Sequence, residues 1–351
     1  MSQANNNSTT ASPRLTIVMP FFNNKVLTGK MIDSIVANTF TEWELIAVDD
    51  GSDDDTLSYL SKYENNPRIT IVHRDIQPKG AQTCRNMGLS LAQGEYIMFV
   101  DSDDYITPTC LNTRVEHIAR NHELDFMVFP SAVLIDDTIY TDAPKDLYGY
   151  NVYDDDIKAF ARRELPFIVW SNIYRTNSLR KAEIKWDTKL LSLQDADFNL
   201  QAITAGLRYD YAHTMPDYGY RTSYSINSIS KKICSKEHSD SNIYAMEKFF
   251  RTLRKHFGHK YDLAAFQGVL NLYNTIFTNG IEKKLAFRMA DCVYSFHRTF
   301  GRIFRLQIKS TLLLERLIPR KRARQIPMIP YLLPFIIRKK KVRKRITPPI
   351  K

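Results

Sequence analysis

Short, continuously apolar runs alternate with longer amphipathic segments through the first part of the chain. Such runs predict buried strands, and apolar residues that recur at helical spacing predict helices. The predicted strands are Leu15–Met19, Trp43–Val48, Ile69–His73, Tyr96–Val100 and Asp125–Phe129. The predicted helices are Val26–Asn38, Asp54–Tyr63, Ala81–Ala92 and Pro108–Asn121. This alternation predicts an α/β fold, with a mainly parallel sheet covered by helices on both faces.

The pattern changes in the second half of the chain. It is irregular from 131 to 164, then indicates a strand at Phe167–Tyr174, a helix at Asp195–Ala205 and strand structure at Tyr209–Arg221. Four helices are predicted after Ser235: Asn242–His256, Leu263–Thr278, Glu282–Phe300 and Ile303–Leu317. We therefore predict a leader at 1–13, an α/β domain at 14–235, a helical region at 236–317 and a tail at 318–351.

The composition excludes several protein classes. An apolar content of 44% and a charged content of 25% are ordinary for a globular protein. The first 13 residues are polar and lack an apolar core, which indicates a disordered leader and not a signal peptide. The cysteines are scattered without a C-x-x-C motif, which argues against a disulfide framework or zinc site and fits a reducing compartment. They are Cys84, Cys110, Cys234 and Cys292.

The positive charge is concentrated at the C-terminal end. The whole sequence has a formal net charge of +11. Residues 301–351 contain 16 Lys and Arg against one acid, Glu315, for a local charge of +15, so the remaining residues carry −4. This asymmetry predicts a tail that binds a polyanion.

Within this tail, the apolar segment Ile326–Ile337 lies between two basic clusters and contains three prolines. It is too short to cross a bilayer as a helix, which needs about 20 residues. The combination favours a segment that lies on an anionic membrane surface. The alternatives are a disordered tail, a helix packed on the protein body, or a nucleic-acid-binding arm. Because the interposed apolar residues suit lipid better than phosphate alone, we expect no nucleic-acid partner.

The predicted strand Tyr96–Val100 runs directly into Asp101, Ser102, Asp103 and Asp104. In open α/β sheets, ligands bind beyond the carboxyl ends of the strands. Carboxylates crowded there repel one another unless a cation binds or some of them take a proton. Oxygen ligands suit a hard divalent ion, Mg²⁺ or Mn²⁺, whose usual partner is a phosphate.

The second predicted strand also ends in acids. Asp49 and Asp50 follow it directly, and Asp53–Asp55 come after a Gly-Ser pair. Ser52 is the predicted N-cap of the next helix, with Asp55 completing a capping box. Helix capping accounts for Asp53–Asp55, but it does not account for Asp49 and Asp50 at the strand mouth.

Four segments in this order and spacing resemble the family 2 glycosyltransferases. They are Leu15 to Asn23 (LTIVMPFFN), Glu44 to Ser52 (ELIAVDDGS), Ala81 to Gly94 (AQTCRNMGLSLAQG) and Val100 to Asp104 (VDSDD). The resemblance covers roughly residues 14–230. It implies a GT-A fold and transfer of a sugar from a nucleotide diphosphate donor.

The resemblance also implies a donor pocket at the strand ends. Asp49 or Asp50 would accept a hydrogen bond from the base, and Arg85 would approach the diphosphate or the base. The alternative for Arg85 is a surface arginine on its helix. The donor-binding set is Pro20, Phe21, Asn23, Asp49, Asp50, Lys79, Arg85 and Asp101. In this set the first three follow the first predicted strand, and Lys79 lies on a mobile loop at the same mouth.

The metal site implied by the resemblance lies in the Asp101-Ser102-Asp103 motif. Asp103 would ligate Mn²⁺ or Mg²⁺, and Asp101 would face the ribose or support the metal. Asp104 would either take part in the metal site or only orient the neighbouring residues.

The general base implied by the resemblance is Asp195, at the start of a predicted helix. The family carries a Glu-Asp pair there, and Gln194 departs from the Glu. A carboxylate at a helix N-terminus is expected to have a lowered pKa and so to stay ionised. The alternative for Asp195 is an N-cap, and Asp197 is the second candidate base. A base opposite the leaving group implies inversion at the anomeric carbon, and the absence of a Q-x-x-R-W motif implies a non-processive enzyme.

The resemblance therefore implies a metal-dependent glycosyltransferase that uses a nucleotide diphosphate sugar, with a UDP-sugar favoured, and a glycan or lipid-linked acceptor. We expect a cytoplasmic protein on the inner face of a bacterial membrane, acting in surface polysaccharide biosynthesis. Two rival classes are a nucleotidyltransferase and a non-catalytic nucleotide-sugar- or glycan-binding homologue. The first usually carries a Gly-rich basic loop where this chain has Pro20 to Asn24. The second would be expected to have lost an acid of the metal or base motif.

Overall fold

A computed structural model describes residues 12–135, 137–140, 148–221, 235–278 and 283–319, together with Ala323 and Lys341. The predicted leader and the predicted membrane-binding tail lie almost wholly outside the described residues. Among the helices that are described, none combines the length and apolar content needed to cross a membrane.

Eleven strands and eleven α-helices make up the described chain. The strands are β1 Leu15–Phe21, β2 Trp43–Asp49, β3 Ile69–His73, β4 Tyr96–Phe99, β5 Tyr105–Ile106, β6 Phe126–Val128, β7 Ser131–Ile135, β8 Thr138–Tyr140, β9 Asn172–Arg175, β10 Tyr209–Tyr211 and β11 Tyr218–Arg221. The helices are α1 Lys25–Val36, α2 Asp54–Leu60, α3 Ala81–Leu91, α4 Cys110–Arg120, α5 Asp156–Ala161, α6 Thr176–Lys181, α7 Gln194–Thr204, α8 Lys236–Phe257, α9 Asp262–Thr278, α10 Lys283–Phe296 and α11 Arg298–Leu314.

The central sheet has seven strands in the order β10-β6-β9-β4-β1-β2-β3. All neighbours are parallel except β9, which runs antiparallel to β4 and β6. Every residue of β1 and β4 is buried, as expected for strands covered on both faces. Because β1 pairs in parallel with both β2 and β4, the two acidic strand ends lie at the same edge of the sheet.

A second sheet, in the order β5-β11-β7-β8, lies beside this edge. Its strand β5 follows the acidic end of β4 almost at once and pairs antiparallel with β11. The short connection between β4 and β5 therefore places the second sheet directly against the acidic edge.

The sequence predictions for the first five strands and four helices are confirmed within a few residues at each end. Two later predictions are wrong in part. The run at Phe167–Tyr174 contains a 3₁₀ turn at Val169–Ser171 before β9 begins, because an apolar run alone does not distinguish a strand from a buried turn. Strand structure at Tyr209–Arg221 is confirmed, as two strands that belong to different sheets with Pro216 between them. The region called irregular contains the β7–β8 hairpin.

Several helix starts also differ from the prediction. Asp53, and not Ser52, caps α2: its Oδ1 accepts a hydrogen bond from Thr56 N at 2.9 Å. Ser52 Oγ instead accepts from Asn23 N at 2.8 Å. Helix α8 begins six residues before the predicted Asn242, with Ser235 as its N-cap. These differences arise because a capping hydrogen bond, which tertiary geometry selects, fixes where a helix begins.

The C-terminal helices share a hydrophobic core with the central sheet. One cluster of buried residues includes Phe126 and Phe167 from the sheet side and Phe249 and Phe250 from α8. The division into separate domains at residue 235 stays a prediction. The packing shows that α8 to α11 rest on the α/β body through a shared apolar interior.

A buried ion pair fixes β11 and the segment before it. Arg114, on α4, is fully buried and binds Asp217 through two hydrogen bonds, Nε to Oδ2 at 2.8 Å and Nη2 to Oδ1 at 2.6 Å. Its Nη1 donates to Trp170 O at 2.8 Å. Trp170 in turn stacks on Tyr218, with ring centres 4.9 Å apart. The pair therefore positions the strand that lies next to the acidic edge.

We expect Arg114→Met to lower the free energy of unfolding by about 3–5 kcal/mol, because it leaves the Asp217 carboxylate buried without a partner. Urea denaturation measures this change. The double variant Arg114→Met/Asp217→Leu removes both charges and should recover most of the loss. Arg120→Met, on the exposed side of the same helix, is the matched control and should cost about 0.5 kcal/mol or less. Equal losses in the two single variants would contradict the assignment.

Candidate active site at the acidic sheet edge

Asp104 links the end of β4 to the second sheet. It is buried, its Oδ2 accepts from Tyr218 Oη at 2.8 Å and its Oδ1 accepts from Arg221 N at 2.8 Å. Tyr218 Oη also accepts a hydrogen bond from Asp101 N at 3.1 Å. Burial, and then the charges of Asp103 and Asp101, raise the pKa of Asp104 well above its ordinary value. Asp104 therefore holds β11 against the strand end.

Arg85 connects the acidic end of β4 to the start of α7. Its Nη2 donates to Asp101 Oδ1 at 2.5 Å, and its Nη1 donates to Gln194 Oε1 at 3.0 Å. The guanidinium lies 4.4 Å from the centre of the Trp186 ring. Arg85 is only 7% exposed, so the alternative of a surface arginine is wrong. It is a buried cation placed between the predicted metal motif and the predicted base helix.

Asp103 and Asp101 form a pair of repelling carboxylates. Burial, and then the negative charge of Asp101, raise the pKa of Asp103 to about 6. A cation beside them would reverse this effect. Across the described part of the chain, no group of three or more Asp, Glu, His or Cys side chains forms a ready metal site. Two carboxylates nevertheless fit a site for Mg²⁺ or Mn²⁺ in which the phosphates of the substrate supply the remaining ligands.

Asp195 is the second residue of α7 and directly follows Gln194. The charges of Arg85 and Asp101 act on its carboxylate, and the backbone N–H groups of Asp195 and Val169 favour the charged form. The sequence prediction of a lowered pKa is wrong. Burial outweighs Arg85 and the backbone donors and raises the pKa of Asp195 to about 6, because a desolvated carboxylate favours its neutral form.

Asp197, the second candidate base, has a different set of partners. It is buried, and its Oδ2 accepts from Gln201 Nε2 at 2.7 Å and from Lys248 Nζ at 2.8 Å. Lys248, on α8, also donates to Asp187 at 2.7 Å. Asp197 therefore ties α7 to the C-terminal helices, whereas Asp195 lies in the electrostatic neighbourhood of the acidic strand end.

The acids that follow β2 are held by local donors. Asp49 Oδ1 accepts from Ser52 N at 2.8 Å, and its Oδ2 lies 3.1 Å from His73 Nδ1. Although burial opposes the shift, the hydrogen bonds from Ser52 and His73 together hold the pKa of Asp49 below its usual value. Asp50 Oδ1 accepts from Arg74 Nε at 2.6 Å and from the backbone N–H of Gly80 at 3.0 Å.

Three loops meet at the mouth of this edge. Asn23 Oδ1 accepts from Asp53 N at 3.0 Å, which joins the loop after β1 to the loop after β2. Lys79 Nζ lies 3.6 Å from the centre of the Phe22 ring. A Cβ atom on Gly51 would lie 3.9 Å from the same Lys79 Nζ. The predicted donor residues Asn23, Lys79 and the acids after β2 are thus brought together.

Two predicted donor residues lie elsewhere than expected. Strand β1 continues to Phe21, so Pro20 and Phe21 lie within the strand and do not follow it. The Phe21 side chain is 2% exposed and belongs to the hydrophobic core. Their backbone still shapes the mouth, since Phe21 O accepts from Asp50 N at 2.9 Å. Phe22, which is 47% exposed, supplies the aromatic surface there.

Sequence reasoning missed Phe22, Arg74 and Trp186, treated Tyr218 only as part of a family-like segment, and treated Gln194 only as a departure from a motif. An aromatic residue next to the end of a predicted strand was an available signal for Phe22. The roles of Trp186 and Tyr218 depend on contacts 101 and 117 positions away, with Arg85 and Asp101. No local pattern contains that information.

Comparison with known proteins gives a family match. The family model described as Glycosyl transferase family 2 matches residues 16–183, which include both acidic strand ends and Arg85. WcaA of Escherichia coli (strain K12), a glycosyl transferase ascribed to colanic acid biosynthesis, is 32% identical over 195 residues, 55% of this chain and 67% of WcaA. The uncharacterized glycosyltransferase EpsJ of Bacillus subtilis (strain 168) is 27% identical over 248 residues, 68% of this chain and 70% of EpsJ.

A third relative also has solved structures. TarS of Staphylococcus aureus (strain MW2), named poly(ribitol-phosphate) beta-N-acetylglucosaminyltransferase, is 26% identical over 191 residues, which are 54% of this chain and only 32% of TarS. The crystal structure of S. aureus TarS 1–349 with UDP-GlcNAc matches this chain with a TM-score of 0.66 at 18% identity, over 90% of each chain. This likeness confirms the predicted GT-A fold. The match to the family model and the match to WcaA over two thirds of that protein show that the chain belongs to glycosyltransferase family 2.

Proposed function

We propose that this chain is an inverting, non-processive transferase that moves a sugar from a nucleotide diphosphate donor to a hydroxyl of a glycan or lipid-linked acceptor. The observation that carries the proposal is the Arg85 bridge from Asp101 to Gln194. It supports the proposal because it joins the Asp101-Ser102-Asp103 motif to the helix start that carries Asp195, and a single displacement at one carbon requires the two groups to be close together.

The donor nucleotide would bind at the mouth formed by the loops after β1, β2 and β3. Between the two candidate acids, the geometry favours Asp50 as the acceptor for the base. Within the described residues, the recorded hydrogen bonds to the Asp50 carboxylate all reach Oδ1, whereas both oxygens of Asp49 have partners. Lys79 and the Phe22 ring would flank the nucleotide. The TarS complex with UDP-GlcNAc supports a UDP-sugar as the donor.

Asp103 and Asp101 would hold Mn²⁺ or Mg²⁺ with the donor diphosphate. The ion would supply stabilisation of the departing diphosphate charge, which is worth several kcal/mol in typical metal sites. The chain contributes two further features. Arg85 adds a buried positive charge beside Asp101, and Tyr218 holds the backbone of Asp101 in place through Asp101 N. When the ion is bound, the leaving group would therefore lie in a rigid environment of positive electrostatic potential.

Asp195 would accept the proton of the attacking acceptor hydroxyl. A pKa of about 6 suits this role, because the carboxylate is ionised at neutral pH yet basic enough to take a proton. Attack from the α7 side, opposite the departing diphosphate, would invert the anomeric carbon. Asp197 is the weaker candidate, since its carboxylate is already paired with Lys248.

The acceptor and the location are proposed from the relatives and the tail. WcaA is ascribed to colanic acid biosynthesis and TarS to poly(ribitol-phosphate), which supports a bacterial cell-surface polymer as the acceptor class. A lipid-linked acceptor would explain the basic and apolar tail at 318–351. We therefore propose a cytoplasmic enzyme that associates peripherally with the inner face of the membrane.

The most direct test of the reaction class is product analysis. UDP-, GDP- and dTDP-sugars are offered with Mn²⁺ or Mg²⁺, and the released nucleotide is identified. A glycosyltransferase releases the nucleoside diphosphate. A nucleotidyltransferase would instead release pyrophosphate from a nucleoside triphosphate, and a non-catalytic binding protein would release neither.

We expect Asp103→Asn to abolish metal-dependent nucleotide release, because it removes a charge from a ligand pair that needs it. The variant should fold as well as the parent, because burial disfavours the charged form of Asp103 and the asparagine side chain is neutral. Thermal melting checks the fold. Glu116→Gln, an exposed acid on α4, is the control and should keep full activity. Full turnover by Asp103→Asn, or undiminished turnover in excess chelator, would contradict the assignment.

We expect Asp195→Asn to lower kcat by roughly 10²–10⁴-fold with little change in donor affinity, the usual effect of removing a positioned general base. Asp197→Asn is the matched control on the same helix. It should lower stability, because Lys248 loses a partner, while the folded fraction still turns over donor. Donor titration and single-turnover rates separate the two effects. The reverse result would show that Asp197 is the base.

The pH profile gives an independent check of Asp195. At saturating divalent cation, kcat/KM should fall about tenfold per pH unit below about pH 6, because a general base works only when deprotonated. The unfolding free energy should not fall in the same range. A carboxylate with a raised folded-state pKa contributes more stability when protonated, so lowering the pH from 7 to about 5 favours the native state at this residue. A profile that is flat down to about pH 4 would contradict the assignment.

A further inference from the structure

Helix α11 has two chemically different faces. Its inward face is fully buried at Phe304, Ile308 and Thr311, and Gly301 packs against the backbone of Tyr294 on α10. Phe300 stacks on Phe266 of α9, with ring centres 4.7 Å apart. The helix is therefore anchored along its length to the folded body.

The outward face of α11 and the turn that ends it carries two adjacent stripes. At about 100° per residue, the exposed basic residues fall on one line and the exposed apolar residues fall beside them. The basic stripe is Arg298, Arg302, Lys309 and Arg316. The apolar stripe is Ile303, Leu306, Leu313 and Leu317, with exposures of 39%, 69%, 58% and 73%.

The basic stripe differs from the other cations of this region. Arg305, at the edge of the buried face, pairs with Asp291 at 2.6 Å. Among the described residues, no ion pair involves the four members of the basic stripe. Between residues 298 and 319 the sequence contains one acid, Glu315. The outward face is thus a cationic surface with an apolar stripe along one side.

Such a surface is unusual on a helix that is already packed in a core. Four large apolar side chains along one line, with Ser310 as the polar residue among them, are not the scattered exposed residues of an ordinary surface. Apolar residues beside Lys and Arg on one helix are the pattern of helices that lie in the interfacial plane of a bilayer. We propose that the outward face of α11 binds an anionic lipid bilayer surface. The apolar stripe would lie at the acyl boundary and the basic stripe at the headgroups.

Charge favours an anionic bilayer over the two other possible occupants of this face, which are the chain's own tail and a second copy of the chain. The chain's own tail, residues 318–351, contains 12 Lys and Arg and no acid, so it would bring like charge to the basic stripe. A second copy related by a two-fold axis would bring a face of the same positive charge and no acidic partner for the basic stripe. Only an anionic partner offers complementary charge along the full helix. The inference does not depend on which donor or acceptor the enzyme uses.

A tryptophan on the apolar stripe tests this contact in the full-length chain. Leu306→Trp places the probe on the stripe, and Leu91→Trp places it at the 47% exposed end of α3 as the control. The three native tryptophans are buried at 1–6% exposure. With vesicles of phosphatidylglycerol and brominated phosphatidylcholine, emission from Leu306→Trp should shift to the blue and be quenched, and emission from Leu91→Trp should not change.

Two outcomes of this experiment overturn the proposal. Unchanged Leu306→Trp emission, while the protein sediments with the vesicles, would show that another segment makes the contact. Emission already shifted to the blue before vesicles are added would show that the tail or a second copy covers the face. Analytical ultracentrifugation then distinguishes those two occupants.

The basic stripe is tested by charge removal. Arg302→Gln/Lys309→Gln/Arg316→Gln should weaken vesicle binding by roughly a hundredfold, because each cation near an anionic surface contributes about fivefold. Lys181→Gln/Lys185→Gln/Lys236→Gln removes the same charge from other exposed sites and should change binding little. Nucleotide release in solution should be the same in both variants. Equal vesicle binding by the two variants overturns the proposal, and loss of nucleotide release alone would bear only on the proposed function.

Discussion

The buried guanidinium of Arg85 is the interaction on which the arrangement of the site depends. Parallel pairing of β1 with β2 and β4 collects carboxylates at one edge, and burial there raises the pKa of both Asp103 and Asp195 to about 6. Arg85 lies between these groups and donates to Asp101 and to Gln194. A glutamate in place of Gln194 would add a further negative charge where carboxylates already repel one another. The neutral amide accepts the hydrogen bond without that cost.

A second layer of buried polar contacts supports the first. Tyr218 touches the acidic motif twice, through Asp101 N and Asp104. Its own position follows from the stack on Trp170 and from the Arg114–Asp217 pair directly before it in the chain. Because Tyr218, Asp104 and the Arg114–Asp217 pair are hydrogen-bonded to defined partners, the backbone of the acidic motif is held in place.

The C-terminal helices take part in this arrangement as more than an appendage. They complete a shared core with the sheet, and Lys248 binds Asp197 on the same helix that carries Asp195. The position of α7 therefore depends on both halves of the chain. Since α11 is anchored to the same core, binding of its outward face to a bilayer would hold the catalytic body at a fixed orientation to the membrane.

The sequence by itself determined the elements that depend on local pattern. These are the parallel strands, their connecting helices and the acids at two strand ends. Each can be recognised from a short stretch of consecutive residues, by its apolar periodicity or by carboxylates that directly follow an apolar run. It predicted the family and the fold for the same reason. Only the tertiary structure decided the rest: which residue caps α2, that Arg85 is buried, that Phe21 belongs to the core, and that Asp195 has a raised pKa. Each of these depends on desolvation or on partners far away in the chain. Gln194 lies 109 positions from Arg85, and no local pattern can specify such a contact.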